Sequence, residues 1–353
     1  MKLDDPAALA QIDRQDMLAQ IDGLPQQLRQ AWELGTRLDL PDWKGVQRLA
    51  LSGMGGSAIG ADLLAAYAAP LAKTPLVVLR DYSLPAWVSG PSTLLVASSH
   101  SGNTEETLAA FHEAGQRGCA RLAVATGGEL ERAARSAGVP LWKFEHSGQP
   151  RAAVGFSFGL LLALAARLEV LPDPQVELDD AIAAMERQQQ TLNASVPAAA
   201  NPAKRLASQM MNLIPTIFGS GLMAPVARRW KTQINELAKA AAGFEILPEA
   251  DHNTLAGCLH PEPARASLML LFLRSPADHP RNRLRSDLTR KTFMHSGFNT
   301  KIIDAGGETR LANLWTSLHL GDYAAFYLAM AYGVDPTPVD ALETLKAEMQ
   351  AAA

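Results

Sequence analysis

The sequence predicts an α/β protein of two halves, each a parallel β-sheet covered by helices on both faces. The first observation is that short, almost continuously apolar runs alternate with segments of helical periodicity, as strands of parallel sheets buried on both faces do. The second is that this alternation occurs twice, separated by a long helical stretch. The third is the length of 353 residues, which exceeds one typical core and suits two domains.

The first half begins with an amphipathic helical lead-in from Asp5 to about Leu38. Helices are also predicted from Ser57 to about Ala69 and from the segment after Thr104 to about Arg117. Apolar runs predict its strands at Val46–Ser52, Pro75–Arg80, Thr93–Ser98, Arg121–Ala125 and Val139–Phe144. We therefore expect a five-stranded parallel sheet in this half.

The second half follows a connecting pair of helices over residues 152 to about 195, which Pro172 and Pro174 interrupt. Its strands are predicted at Ile214–Gly219, Phe244–Leu247, Ser267–Arg274 and Lys301–Asp304. Its helices are predicted at Leu222–Ala242, Arg281–His295 and Arg310–Tyr332, with a short helix at the end of the chain. We place the domain boundary at residue 152, so that residues 1–152 form one domain and residues 153–353 the linking helices and the other.

The composition excludes several classes of protein. With 48% hydrophobic and 19% charged residues the chain has enough apolar surface to fold, and its net charge of −4 provides no general attraction for nucleic acid or an anionic membrane. The two isolated cysteines, Cys119 and Cys258, predict neither a disulfide framework nor a structural zinc site. No apolar run suits a signal peptide or a membrane span. We expect a cytoplasmic protein without membrane or nucleic-acid partners.

A glycine loop, Gly53-Met54-Gly55-Gly56-Ser57, joins the first strand to the next helix. Gly55 and Gly56 let a ligand approach the backbone, and the helix N-terminus after them presents free amides to an anion or to sugar oxygens. Two alternatives stay open at this point. The loop could be an ordinary turn, or it could bind a dinucleotide whose ribose is held by Asp81 after the second strand.

A serine-rich loop follows the third strand and opens the next helix. Ser99, Ser101 and Thr104 offer three hydroxyls beside free helix amides, and Gly102 leaves room for an oxyanion. Such donors can hold a phosphate monoester without Lys or Arg. The alternative is a capping box between Asn103 and Glu106, which would explain only part of this cluster. The loop therefore favours a phosphate site.

These two loops resemble the sugar isomerase domain, a doubly wound unit with a flavodoxin-like sheet that holds phosphosugars at the carboxyl ends of its strands. From about residue 45 onward the chain is similar to the bifunctional phosphoglucose/phosphomannose isomerase family. The further segments that carry this similarity are Gln149–Arg151, Trp230–Glu236, Leu247–Asn253 and Gly333–Pro338 with Leu345–Lys346. The resemblance implies two αβα sugar isomerase domains with the active site between them.

The resemblance also implies the roles of individual residues. Glu236 is the base that moves a proton between C1 and C2, and Arg151 stabilises the enediolate. His252 assists ring opening and is donated by a partner subunit, which implies a homodimer with a shared site, and Lys346 lies near the ring oxygen. The implied phosphate and sugar contacts are Gly55, Gly56, Ser57, Ser99, Ser101 and Thr104.

The implied reaction is the interconversion of glucose 6-phosphate, and of mannose 6-phosphate as a second aldose, with fructose 6-phosphate. A carboxylate, a cation and a histidine suit this chemistry, and none of its steps requires a metal or a redox cofactor. Other functions remain as alternatives: a non-catalytic phosphosugar regulator, a nicotinamide-dependent oxidoreductase, or an isomerase of another sugar phosphate. Taken singly, Glu236 is an ordinary helical charge, and the segment with His252 could merely cap the following short helix, since Asp251 and Asn253 are good capping residues. Asp251 stands where the family often has asparagine, which bears on pH optimum and substrate preference.

Overall fold

Two parallel β-sheets organise the protein in this computed structural model, which describes residues 3–43 and 45–352. The first sheet has the strand order β2-β1-β3-β4-β5, and the second has the order β7-β6-β8-β9. The strands are β1 Arg48–Ser52, β2 Leu76–Leu79, β3 Thr93–Ser99, β4 Ala120–Ala125, β5 Leu141–Lys143, β6 Ile214–Ser220, β7 Gly243–Leu247, β8 Leu268–Arg274 and β9 Asn299–Asp304. The first order is that of flavodoxin-like sheets, and the second repeats it with one strand fewer. The predicted fold class is confirmed.

Helices cover both faces of each sheet. Those of the first half are α1 Pro6–Ile12, α2 Met17–Asp22, α3 Leu24–Arg37, α4 Gly55–Ala68, α5 Glu105–Gln116 and α6 Gly128–Ser136. The others are α7 Val154–Arg167, α8 Gln175–Leu192, α9 Pro202–Met210, α10 Ala224–Ala238, α11 Ala264–Ser267, α12 Pro280–His295, α13 Arg310–Tyr332 and α14 Asp340–Ala352. No helix within the described ranges is long and apolar enough to cross a membrane.

Two helices differ from the sequence-based expectation for local reasons. The helix predicted to reach residue 242 ends at Ala238, because Lys239 adopts the left-handed conformation (φ 54°) that terminates helices. α9 was not predicted, although Pro202 occupies its first turn and the side chain of Asn201 accepts hydrogen bonds from the amides of Ala203 and Lys204. Both features are ordinary signals for the start of a helix, but in a polar, Ala-rich segment they are hard to recognise.

One continuous apolar core joins the two halves. It contains the facing sides of both sheets and the helices between them, with Trp142 of β5, Trp230 of α10 and Trp315 of α13 all fully buried. Separate apolar clusters lie on the outer faces, where α5 and α6 cover the first sheet and α12 covers the second. α7 packs against α3 and α4, and α8 packs against α13. The domain boundary at residue 152 stays a prediction.

A buried ion pair fixes α10 against α13 inside this core. The guanidinium of Arg229 donates through Nε to Asp322 Oδ1 at 3.1 Å and through Nη2 to Oδ2 at 2.8 Å. The residues are 1% and 3% exposed, so neither charge has water as an alternative partner. This bidentate geometry sets the rotation of α10 about its axis, and with it the direction of the side chains in the last turn of α10.

Removing one member of this pair is expected to destabilise the fold strongly. In Asp322→Ala the buried Arg229 cation loses its partner, so we expect the free energy of unfolding to fall by about 3–5 kcal/mol. Glu129→Ala, which breaks an exposed pair with Arg132, serves as control and is expected to have little effect. Urea unfolding measures both. Equal midpoints for the two variants would contradict the structural role given to the buried pair.

Candidate active site

The glycine loop packs closely against two other segments. β1 ends at Ser52 and α4 begins at Gly55, whose φ of 49° is left-handed. A Cβ on Gly53 would lie 2.8 Å from the carbonyl oxygen of Ser98, and a Cβ on Gly56 would lie 2.6 Å from that of Pro150. Glycine is therefore needed for close approach at both positions. The N-terminus of α4, with the buried Ser57, is held between the serine loop and the turn that carries Arg151.

The serine loop occupies the carboxyl end of β3. Ser99 Oγ and Thr104 Oγ1 lie 2.9 Å apart, and Ser99 Oγ accepts a hydrogen bond from the Gly102 amide at 3.1 Å. Ser101 is exposed, and its Oγ accepts from the Asn103 amide at 3.2 Å. The hydroxyls of Ser99, Ser101 and Thr104 therefore lie together with the loop amides at the start of α5.

The structure does not show the capping box considered for this loop. The N-cap residue of α5 is Thr104, and no side chain caps the first turn. The side chain of Asn103 turns away and accepts a hydrogen bond from the Glu129 amide of α6 at 3.0 Å. α4 likewise begins without a side-chain cap. Two helix N-termini with uncapped amides thus meet at this edge of the sheet, which is favourable for an anion.

Arg151 and Glu236 are a pair of opposite charges in the candidate site. Arg151 lies in the 3-10 turn Pro150–Ala152 and is 6% exposed, whereas the side chain of Glu236, in the last turn of α10, is 26% exposed. Arg151 Nη1 lies 3.8 Å from Glu236 Oε2. Burial lowers the pKa of Arg151, which the Glu236 carboxylate partly offsets. A guanidinium and a carboxylate therefore face each other with part of the carboxylate open to a ligand.

Backbone carbonyls hold the guanidinium in place. Arg151 Nη2 donates to the carbonyl oxygen of Pro336 at 3.0 Å and also to that of Thr337. Its Nε is buried and has no hydrogen-bond partner among the described residues. Because a charged donor without a partner is costly in the interior, this nitrogen is available to an oxygen of a bound molecule.

These parts adjoin one another, and we call the space that they border the cleft. The serine loop contacts Gly53, just before the N-terminus of α4. Gly56, in the first turn of α4, packs against Pro150, and Arg151, which follows Pro150, faces Glu236. The structure thus brings together the predicted residues of the glycine loop, the serine loop, Arg151 and Glu236. A ligand with an anionic group at the loops can place another part of itself beside the carboxylate.

His252 and Lys346 make no direct contact with the Arg151–Glu236 pair within one chain. Both are exposed, and neither has a hydrogen bond or an ion pair to Arg151 or Glu236 in the described parts of the chain. Asp251 directs its carboxylate to α12, where it accepts from Arg285 Nη1 at 2.9 Å and from Thr289 Oγ1 at 2.6 Å. The unusual acidic neighbour of His252 is therefore engaged in holding its own segment against α12.

Lys239 is a component of the cleft that the sequence did not single out. Its Nζ donates to the carbonyl oxygen of Glu236 at 2.6 Å and to that of Pro336 at 3.2 Å. Burial, and then the charge of Arg151, lower its pKa to about 8. The sequence contains a signal for it, a lysine three residues after the glutamate, which by itself is indistinguishable from an ordinary helical charge pair.

One histidine of the serine loop, His100, is paired with His146. His100 Nε2 and His146 Nδ1 are 3.0 Å apart, and burial, with a smaller effect of His146, lowers the pKa of His100 to about 4. His146 also lines a 740 Å³ cavity together with Thr126 and Phe156. Thr126 Oγ1 donates to the His100 carbonyl at 2.7 Å. Thr126 and the histidine pair therefore support the serine loop together.

Comparison with known proteins gives consistent results. The family described as "Bacterial phospho-glucose isomerase C-terminal SIS domain" matches residues 199–349. A bifunctional phosphoglucose/phosphomannose isomerase of Caldicellulosiruptor bescii is 35% identical over 94% of this chain and 98% of its own length. One of Aquifex aeolicus is 33% identical over 88% of this chain and 92% of its own. Among solved structures, the C-terminal domain of glucosamine-fructose-6-phosphate aminotransferase from Francisella tularensis shares the fold, with a TM-score of 0.71 and 16% identity over 92% and 98% of the two chains.

Gly102 allows a sharp test of the serine loop. Its φ is 71°, and a Cβ there would lie 1.9 Å from the carbonyl oxygen of Gly127. Gly118 has nearly the same φ, 70°, but nothing within 4 Å of its Cβ position. We expect Gly118→Ala to cost about 1 kcal/mol of unfolding free energy, from backbone strain alone. Gly102→Ala is expected to cost roughly 1–3 kcal/mol more, from steric overlap. Similar urea midpoints would refute the proposed loop packing.

Proposed function

This chain belongs to the bifunctional phosphoglucose/phosphomannose isomerase family, and from that premise we propose that it interconverts glucose 6-phosphate and mannose 6-phosphate with fructose 6-phosphate. The observation that carries the proposal is the single cleft in which two uncapped helix N-termini lie beside the facing Arg151 and Glu236. One end of this cleft suits a phosphate, and the other suits proton transfer at carbon.

The phosphate end supplies binding energy away from the reacting carbons. Ser57, Ser99, Ser101 and Thr104 carry the hydroxyls there, and the first-turn amides of α4 and α5 have no competing side-chain cap. Local donors of this kind capture a dianion although the whole protein carries a net charge of −4. Binding energy gained there positions the sugar for the reaction at the other end.

The proton transfer is assigned to Glu236. Its carboxylate takes the proton from C2 of the open-chain aldose, and the electron pair of that C–H bond forms the C1=C2 bond of an enediolate. Return of the proton to C1, with transfer of the O2 proton to O1, gives the ketose. Arg151 stabilises the negative charge on the enediolate oxygens, for which its unpartnered Nε is the available donor.

The oxidoreductase alternative has less support. The glycines at 53 and 56 are explained by close packing against Ser98 and Pro150, without a pyrophosphate. Asp81 is exposed, and its carboxylate accepts a hydrogen bond from the adjacent Tyr82 amide at 2.7 Å. The regulator alternative leaves the Arg151–Glu236 pair without a purpose. An isomerase acting on another sugar phosphate would use the same cleft, and the substrate test below separates it.

We assign His252 to the cleft of a second copy of the chain, and Lys346 to the cleft of its own chain, which it reaches through α14. His252 is exposed at the end of the 3-10 turn Glu249–His252 that follows β7, so we propose that it completes the cleft of another copy in a homodimer and assists ring opening there. Lys346 lies one turn after Glu343, whose charge acts on Arg151, so the start of α14 is near the cleft. We assign Lys346 to the ring-oxygen side of the sugar.

The first experiment measures fructose 6-phosphate formed from glucose 6-phosphate and, separately, from mannose 6-phosphate. We expect the wild-type protein to convert both and Glu236→Gln to lose at least about a hundredfold in kcat with KM little changed. Ser101→Ala is the matched comparison, because it removes one phosphate contact and should mainly raise KM. Absence of turnover with both sugars, while they still raise the melting temperature, would leave a regulator or an isomerase of another sugar phosphate.

The shared site is tested by mixing two inactive variants. Glu236→Gln and His252→Ala, refolded together in equal amounts, should recover about a quarter of wild-type turnover, because half of the dimers are mixed and each mixed dimer has one complete site. Each variant refolded alone is the control and should stay inactive. If the mixture were also inactive, Glu236 and His252 would have to act within one chain.

A further inference from the structure

Lys239 is placed in a backbone conformation that lysine does not favour. It ends α10 with φ 54°, a left-handed value that costs a residue with a Cβ free energy and that glycine adopts without strain. Its amide closes the helix on the Ile234 carbonyl, a role that needs no side chain. The presence of a lysine rather than glycine therefore points to a use for the ammonium group.

The ammonium group shares an acceptor with Arg151. Lys239 Nζ donates to the Pro336 carbonyl at 3.2 Å, and Arg151 Nη2 donates to the same oxygen at 3.0 Å. Lys239 Nζ also donates to the carbonyl of Glu236 at 2.6 Å. Two cations thus converge on one carbonyl, and one of them is tied to the residue that carries the catalytic carboxylate.

The shared acceptor belongs to the segment that leads to α14. The side chain of Asp335 turns this segment by accepting from the Thr337 amide at 2.9 Å, and Thr337 is 1% exposed. α14 begins three residues later and is exposed along the length for which burial is described. Because α14 is exposed, the Pro336 carbonyl, together with that of Thr337, helps to set where this helix starts and in which direction the Arg151 guanidinium points.

We propose that Lys239 is a positioning residue of the isomerase, whose ammonium holds the Pro336 carbonyl so that Arg151 faces Glu236 and α14 starts beside the cleft. The inference rests on the proposed function for its kinetic consequences, and its structural part stands without it. Lys239 touches no reacting atom in this assignment and acts through Arg151.

The charges around Lys239 make the effect depend on pH. Arg151 faces it from the 3-10 turn, Asp335 from the segment after α13, Asp340 from α14 and Glu236 from its own helix. With a pKa near 8 the ammonium is present at neutral pH and is lost as the pH rises through that value. The alkaline decline of kcat should therefore begin near pH 8 in the wild type.

Three variants separate the ammonium from the backbone. Lys239→Gly removes the ammonium and also relieves the strain, so the protein should fold at least as well. Lys239→Arg keeps a cation that does not titrate in this range. Glu169→Gly is the matched control, because Glu169 is an exposed residue with φ 56° in the turn after α7. It reports the gain from strain relief alone.

We expect kcat of Lys239→Gly to fall about tenfold or more, with KM changed less than about threefold, since the phosphate loops are intact. Lys239→Arg should restore most of the turnover and move the alkaline decline to higher pH. Unchanged kcat in Lys239→Gly, a rise in KM alone, or a loss that Lys239→Arg neither restores nor shifts would each overturn the inference.

Hydrogen exchange gives a readout that needs no turnover. Backbone amides in residues 333–341 should exchange faster in Lys239→Gly than in the wild type, and Glu169→Gly should match the wild type there. Equal exchange in all three proteins would overturn the positioning role. An inactive wild type with the expected exchange pattern would instead overturn the proposed function and keep the structural inference.

Discussion

The close approach of the α4 N-terminus to the Pro150–Arg151 turn is the constraint on which the site depends. Gly56 has no room for a Cβ, because the Pro150 carbonyl would lie 2.6 Å from it, and Gly53 is limited in the same way by Ser98. These two contacts fix the proposed phosphate donors and the Arg151 backbone relative to one another. Any side chain at either glycine would separate the parts of the cleft, so both glycines are explained by geometry before any ligand is considered.

The second half contributes Glu236 to the candidate site through helix α10. The orientation of α10 is set by contacts two turns away from Glu236. The Arg229–Asp322 pair holds the middle of α10 against α13, and Trp230 donates from its indole to the Ser317 carbonyl at 2.9 Å. Two turns later the same helix presents Glu236. A buried ion pair does not guarantee stability, but removal of one partner is costly, and here it defines the rotation of a helix whose last turn must meet Arg151.

The strands and the positions of the glycine loop and the serine loop could be predicted from sequence, because continuous apolar runs, glycine spacing and clustered hydroxyls are local signals. The hydrogen bonds that position Arg151 could not be predicted, since its acceptors, Pro336 and Thr337, lie 185 and 186 residues after it in the chain. Lys239 was missed for a related reason: its left-handed conformation and its contact with Pro336 exist only in the folded chain. Resemblance suggested roles for His252 and Lys346, whereas their exposure in one chain became visible only in three dimensions.

The electrostatics of the cleft depend on which hydrogen-bond acceptors Arg151 and Lys239 can reach. Arg151 is buried, and carbonyl oxygens rather than carboxylates take its strongest hydrogen bonds, so its charge is only partly neutralised at 3.8 Å from Glu236. Lys239 is held by carbonyls as well. Carbonyl acceptors fix the direction of a cation without cancelling its charge, which leaves that charge available to an enediolate. A carboxylate in their place would hold the cations as firmly but would oppose the negative charge that the reaction develops.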